Sequence, residues 1–195
     1  MMSGSARAWD RKPNYMALMA AIALAISLSS LPLPWLMAYD EDARQSWSVT
    51  GLGRGEARAR LSQVRGTEFS FTYSFYPLGT MAFSSLIIAL FFSLLDIFNP
   101  PSRPVRAIVY AALALSLSAG IAYLALLVAG VGAFSGLVII YIWPPSEIVI
   151  KHEDIRASEV WAEAEALWPG VGFPLFITSV LVAFLLHRSA WPKPG

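Results

Sequence analysis

Two histidines, His152 and His187, are the first residues to ask for chemistry, because the chain has no cysteine. Without thiolates there are no disulfides, no iron–sulfur clusters and no haem held through thioethers. His187 follows Phe184-Leu185-Leu186 and precedes Arg188, at the end of an apolar run. A single imidazole there can ligate haem iron, and the same nitrogen lone pair suits chlorophyll magnesium. His187 is the candidate cofactor-binding residue, with an interfacial polar residue as the plainer reading. His152 has Glu153 and Asp154 beside it. A metal site wants several ligands converging at fixed geometry. Neighbours along a strand point to opposite faces, so no metal site is expected. Asp96 lies one turn before Asn99-Pro100; it either meets Arg103 or Arg106 at a membrane edge or takes up protons. The chain carries no HExxH, no phosphate loop, no nucleophile elbow and no paired carboxylates inside an apolar run. It is not read as an enzyme, and no catalytic residue is assigned.

The elements around these residues are mostly apolar blocks. Of 195 residues, 56% are hydrophobic and 14% charged, against about 25% charged in soluble domains. Mean hydropathy is +0.58. An integral membrane protein is expected, and a net charge of +1 gives no field that would recruit nucleic acid. A span needs roughly 20 apolar residues. The blocks predict spans at about 15–38, 78–98, 105–128 and 170–187, with external loops 40–77 and 129–169 in a single membrane domain. The first block resembles a signal peptide in its basic start, but Pro32 and Pro34 near its end and its length favour a retained helix. Charge decides between four spans and five. The short segments hold Arg7, Arg11, Lys12, Arg103, Arg106, Arg188 and Lys193, and their density places both termini in the cytoplasm. Eleven of the thirteen acids fall in the two long loops.

The loops carry the sticky residues. In "GTEFSFTYSFYPLG" (66–79), Phe69, Phe71, Tyr73 and Phe75 alternate with Ser70, Thr72 and Ser74, the period of a strand. "SWSVTGLG" (46–53) alternates more weakly and puts Trp47 on one face. "EARARLSQVR" (56–65) is rich in helix formers. The run 129–143 either extends the third helix or leaves it as a strand. Its apolar residues, Ile139, Tyr141 and Trp143 among them, need a cover, supplied by the other loop or by a partner. "SEIVIKHE" (146–153) suits a strand with Ile148 and Ile150 on one face. "DIRASEVWAEAEALW" (154–168) suits an interfacial helix with Asp154 as N-cap and Trp161, Ala164 and Trp168 on one stripe. Pairing between the arginines of the first loop and the acids of the second is geometrically possible and would set register more than stability. On the third span Ala112, Ser116 and Gly120 recur every four residues, a stripe that lets helices approach closely.

The expected fold is therefore an α-helical integral membrane protein, four transmembrane helices with a small external cap of β-strands and short helices. In topology this resembles the claudin-type membrane proteins. In "WSVTGLG" Trp47, Gly51 and Leu52 stand where that family's first-loop signature has Trp and Gly-Leu-Trp, and the two cysteines that follow in the family are absent. The resemblance implies four helices and an external sheet. The expected function is a non-catalytic accessory or scaffolding subunit of a larger membrane complex, respiratory or photosynthetic. Its partners would be other membrane subunits and the lipid bilayer. Two alternatives stand beside it: a small oligomeric channel or transporter lined by Ser and Thr, and a haem- or chlorophyll-binding subunit using His187.

Overall fold

The computed structural model describes residues 14–40, 44–59, 64–99, 102–142, 148–164 and 166–190. The chain begins with helix α1 (Tyr15–Ser30), capped by the Asn14 side chain, which accepts a hydrogen bond from the Ala17 N–H at 3.3 Å. Pro32 and Pro34 end it, because neither can donate to a helical ladder. The next residues form strand β1 (Pro34–Asp40). Strands β2 (Gln45–Thr50), β3 (Arg54–Ala59) and β4 (Val64–Tyr73) follow as antiparallel hairpins. The chain then leaves the sheet through helix α2 (Tyr76–Asp96), with Pro77 in its first turn, and returns through helix α3 (Arg103–Val128). Strand β5 (Ala133–Ile142) pairs with β4, and β6 (Ile148–Arg156) with β5. The short helix α4 (Ala157–Glu163) carries the chain across to β7 (Ala166–Pro169), which pairs with β1 at the opposite edge. Helix α5 (Gly172–Ala190) ends the described chain.

The result is a seven-stranded antiparallel half-barrel, ordered β6-β5-β4-β3-β2-β1-β7, joined to a layer of apolar helices. This is a mixed α/β fold and corrects the expectation of four transmembrane helices under a small cap. Three helices, α2, α3 and α5, are long and apolar enough to cross a membrane. α1 is shorter at 16 residues, about 24 Å, and packs along α2 and α5. The block expected to span to residue 38 turns into β1 after its prolines. Residues 56–59, expected in a helix, are strand. The helix expected over 154–168 shrinks to α4: Asp154 belongs to β6 rather than capping a helix, and 166–169 pair with β1. Within the run 129–143, residues 133–142 form strand β5.

All four apolar helices meet the sheet at the same end. α1 runs into β1, β4 runs into α2, α3 runs into β5 and β7 runs into α5. The N-terminal end of α1 and the C-terminal end of α5 therefore share the end away from the sheet. Close contact fixes the junction: a Cβ on Gly79, in the first turn of α2, would run into the backbone oxygen of Gly51 in the β2–β3 turn. Only glycine lets that turn sit on the helix.

One aromatic column ties the two layers together. Inside the half-barrel Trp47 stacks on Phe71, with centroids 5.5 Å apart, and Phe71 on Phe134 at 4.5 Å. Phe134 meets Tyr73 at 5.5 Å, Tyr73 meets Tyr123 of α3 at 5.7 Å, and Tyr123 meets Trp35 at 5.7 Å. Trp35 reaches Phe176 of α5 at 4.8 Å. Tilted and edge-to-face pairs at such spacings are favourable beyond the area they bury. Hydrogen bonds finish the junction: Trp35 Nε1–H donates to the Ser30 carbonyl at 3.1 Å and Tyr123 Oη–H to the Thr50 carbonyl at 2.8 Å.

Candidate functional site

Strand parity sorts the aromatic residues. Phe69, Phe71 and Tyr73 point into the half-barrel and are 4%, 4% and 0% exposed. Phe75 follows β4 as the N-cap of α2 and rests on Tyr73 at 5.7 Å. Phe69, Phe71 and Tyr73 belong to the core and Phe75 packs against it. Trp47 packs on Phe69, Phe71 and Phe134 and borders a cleft of about 210 Å³ between β1–β2 and α4. Trp161 lies edge-on to Phe134 at 5.6 Å, and its Nε1–H donates to the Leu127 carbonyl at 2.7 Å. It holds the end of α3 against the half-barrel. Trp168, on edge strand β7, is 41% exposed and borders an apolar groove of about 550 Å³ with Leu124, Phe173 and Ile177. Trp161 and Trp168 therefore share no helix stripe. Trp143 lies outside the described residues.

What remains on the outward side of the sheet is the far half of β5. Register places Phe134 beside Tyr73 and Val138 beside Phe69, so these face the core. Leu137, Ile139 and Tyr141 take the opposite parity, opposite Ser70, Glu68 and Gly66. Leu137 is exposed, and Ile139 and Tyr141 are half-buried. On the other side, register sets Ile139 against Ile150 and Tyr141 against Ile148 of β6, an edge strand. β5 is thus apolar on both faces, while the core uses one. A single face of a half-solvated strand alternates with polar residues, so the second apolar row goes beyond what the core of the described residues uses.

At the other end of the helices sits a buried polar pair. Ser93 of α2 and His187 of α5 are both fully buried, with Ser93 Oγ 2.8 Å from His187 Nε2. The Ser93 hydroxyl donates to the Ala89 carbonyl at 2.6 Å. Its single proton is used there, so Nε2–H of a neutral imidazole donates to Oγ. A serine nucleophile needs the reverse, an unprotonated nitrogen accepting from the hydroxyl. A haem iron or magnesium at Nε2 would have to displace Ser93. Asp96, one turn further along and the last residue of α2, is 3% exposed, and it and Arg106 are both engaged in polar contacts. Sequence spacing could not reveal this pair, since Ser93 and His187 are 94 residues apart.

The small-residue stripe on α3 is buried throughout. Ala112 is 7% exposed, Ser116 Oγ–H donates to the Ala82 carbonyl of α2 at 3.3 Å, and Gly120 faces Phe176 and Trp35. These charge pairs among the described residues are local: Arg58 with Glu56 at 3.2 Å and with Glu68 at 3.7 Å, and Arg156 with Glu159 at 4.0 Å. Each is solvent-exposed, worth about 0–1 kcal/mol. Among the described residues no group of three or more His, Asp and Glu is placed to hold a metal ion. No protein family, no curated protein and no solved structure matches this chain.

Proposed function

We propose that this chain is a multi-pass, non-catalytic subunit of a larger membrane assembly, and that it docks a neighbouring subunit on the outward row of β5. The observation that carries the reading is the second apolar row Leu137, Ile139 and Tyr141. It lies beside an edge strand, and edge strands expose backbone groups ready to pair with another chain. The aromatic column supports the reading as well, since a surface held rigidly on the helices loses little freedom on binding. Arg103, Arg106 and Arg188 stand at the end away from the sheet. By the positive-inside rule that end is cytoplasmic, which puts both termini there and the half-barrel across the membrane.

The test is the mass of the gently extracted protein, with and without Ile139→Glu. The wild-type chain is expected in a particle carrying a second polypeptide, and the variant in one without it. A variant that still folds and keeps its companion would overturn the assignment of this row.

A further inference from the structure

The outward face of the sheet carries a second feature at the helix end, next to the start of the apolar row, where Ser70 pairs with Leu137. A groove of about 510 Å³ opens there, with Pro32, Pro34 and Phe71 in its wall beside five hydroxyls and the charges of Arg54 and Glu56. Register orders its side chains in two rows. Arg54, Thr72 and Ser135 stand side by side across β3, β4 and β5. Ser48, Glu56 and Ser70 form the next row across β2, β3 and β4. Two residues along a strand separate the rows by about 7 Å. The first row is cationic and the second anionic.

The charges differ in what they already touch. Arg58 and Arg156 each have a carboxylate partner, whereas Arg54 is exposed and makes no ion pair among the described residues. Ser70, Thr72 and Ser135 likewise make no side-chain hydrogen bond within the described residues. Glu56 shares its carboxylate with Arg58 at the far side of the groove. An unpaired guanidinium beside free hydroxyls is a phosphate-binding arrangement.

The groove's level favours one source of phosphate. Arg54 follows the β2–β3 turn that rests on Gly79 in the first turn of α2. α2 is long and apolar enough to cross a membrane, and Tyr76 at its start is 48% exposed. Tyrosines at helix ends mark the headgroup level. Arg54 therefore stands where lipid phosphates lie.

We infer that this groove seats the headgroup of a zwitterionic phospholipid. The phosphate rests on Arg54, Thr72 and Ser135, and the ammonium rests on Glu56, Ser48 and Ser70. A purely anionic headgroup satisfies the first row and leaves Glu56 opposed to it, so an amine-bearing lipid is preferred.

The full chain, delipidated in detergent, can be titrated with phosphatidylethanolamine, phosphatidylglycerol or inorganic phosphate and read by native mass spectrometry. Phosphatidylethanolamine is expected to be retained at least five-fold better than phosphatidylglycerol, with no displacement by inorganic phosphate. Arg54→Gln should lower its retention about ten-fold, and Glu56→Gln should erase the preference between the two lipids. Thr72→Val, which keeps strand propensity and shape, should lower retention two- to five-fold and serves if Arg54→Gln fails to fold. Equal retention of both lipids, displacement by inorganic phosphate, or unchanged retention in a folded Arg54→Gln or Thr72→Val protein would overturn the inference. None of these readouts depends on a partner subunit.

Discussion

Replacing Trp35 by alanine strikes the joint between the two layers. Trp35 is fully buried and contacts Tyr123, Phe173 and Phe176 at centroid distances of 5.7, 5.3 and 4.8 Å. Each ring pair is worth about 0.5–1.5 kcal/mol beyond area burial. Its Nε1–H bond to Ser30, at the end of α1, adds about 0.5–1.5 kcal/mol. Large-to-small changes at aromatic core sites cost about 3–5 kcal/mol, the spread reflecting how far the cavity collapses. Gly120 and Gly172 both pack against this indole, so the backbone on two sides limits collapse. The expected loss is at the upper end, about 4–5 kcal/mol. Trp35→Phe keeps ring contact and loses the hydrogen bond, for about 1–2 kcal/mol. Denaturation in detergent would be followed by far-ultraviolet dichroism, which reports the helices, and by the fluorescence of Trp47 in the half-barrel and Trp161 of α4 against it. Both signals should shift together in each variant. A Trp35→Ala protein that loses under about 1 kcal/mol, or whose sheet unfolds while its helices stay at the wild-type midpoint, would refute the shared column.

Other outcomes follow from the same geometry. A Cβ at Gly120 would lie 2.5 Å from Phe176 Cε1 and 3.3 Å from Trp35 Cη2. Both rings are fully buried, so Gly120→Ala should cost about 1–3 kcal/mol of overpacking strain in the same denaturation assay. Ser93→Ala removes the acceptor of the His187 N–H and should cost about 1–3 kcal/mol, and the purified wild-type chain should show no visible-range haem or chlorophyll band. Burial pushes the Tyr73 phenol up from 10.0 to about 12. The folded state therefore prefers the neutral phenol; its contribution is complete below pH 10.0 and falls away as pH rises towards 12. Tyr73→Phe should flatten that alkaline loss of stability relative to wild type.

The long apolar helices were legible because hydropathy over some twenty residues is a strong signal, and β4 because its alternation is clean. β1 was hidden by the same signal. In "PWLMAYD" nearly every residue is apolar, and a short strand apolar on both faces is indistinguishable from the end of a span by hydropathy. Pro32 and Pro34 were the break. β3 misled through propensity: Arg, Glu and Ala favour helix, yet Arg54, Glu56 and Arg58 alternate with Gly55, Ala57 and Ala59. That period of two puts the charges on the outer face and the small residues under the rings of Phe69 and Phe71. Pairing across the sheet outweighed local preference. α4 is short for a related reason, since the β1 edge recruits residues 166–169. The outward row of β5 was foreseen in its residues, Ile139 and Tyr141, but its face could be assigned only from the register with β4. The groove at Arg54 takes its hydroxyls and charges from four strands, β2 to β5, with helices α2 and α3 between β4 and β5 in the chain, and left no local trace.

The outward row of β5 is expected to have a companion. Mild extraction from the native membrane, followed by native mass spectrometry, measures this directly. The expected particle is heavier than the 21.3 kDa chain and contains a second membrane polypeptide that Ile139→Glu releases. A lone 21.3 kDa chain, released intact under the mildest conditions, would contradict it.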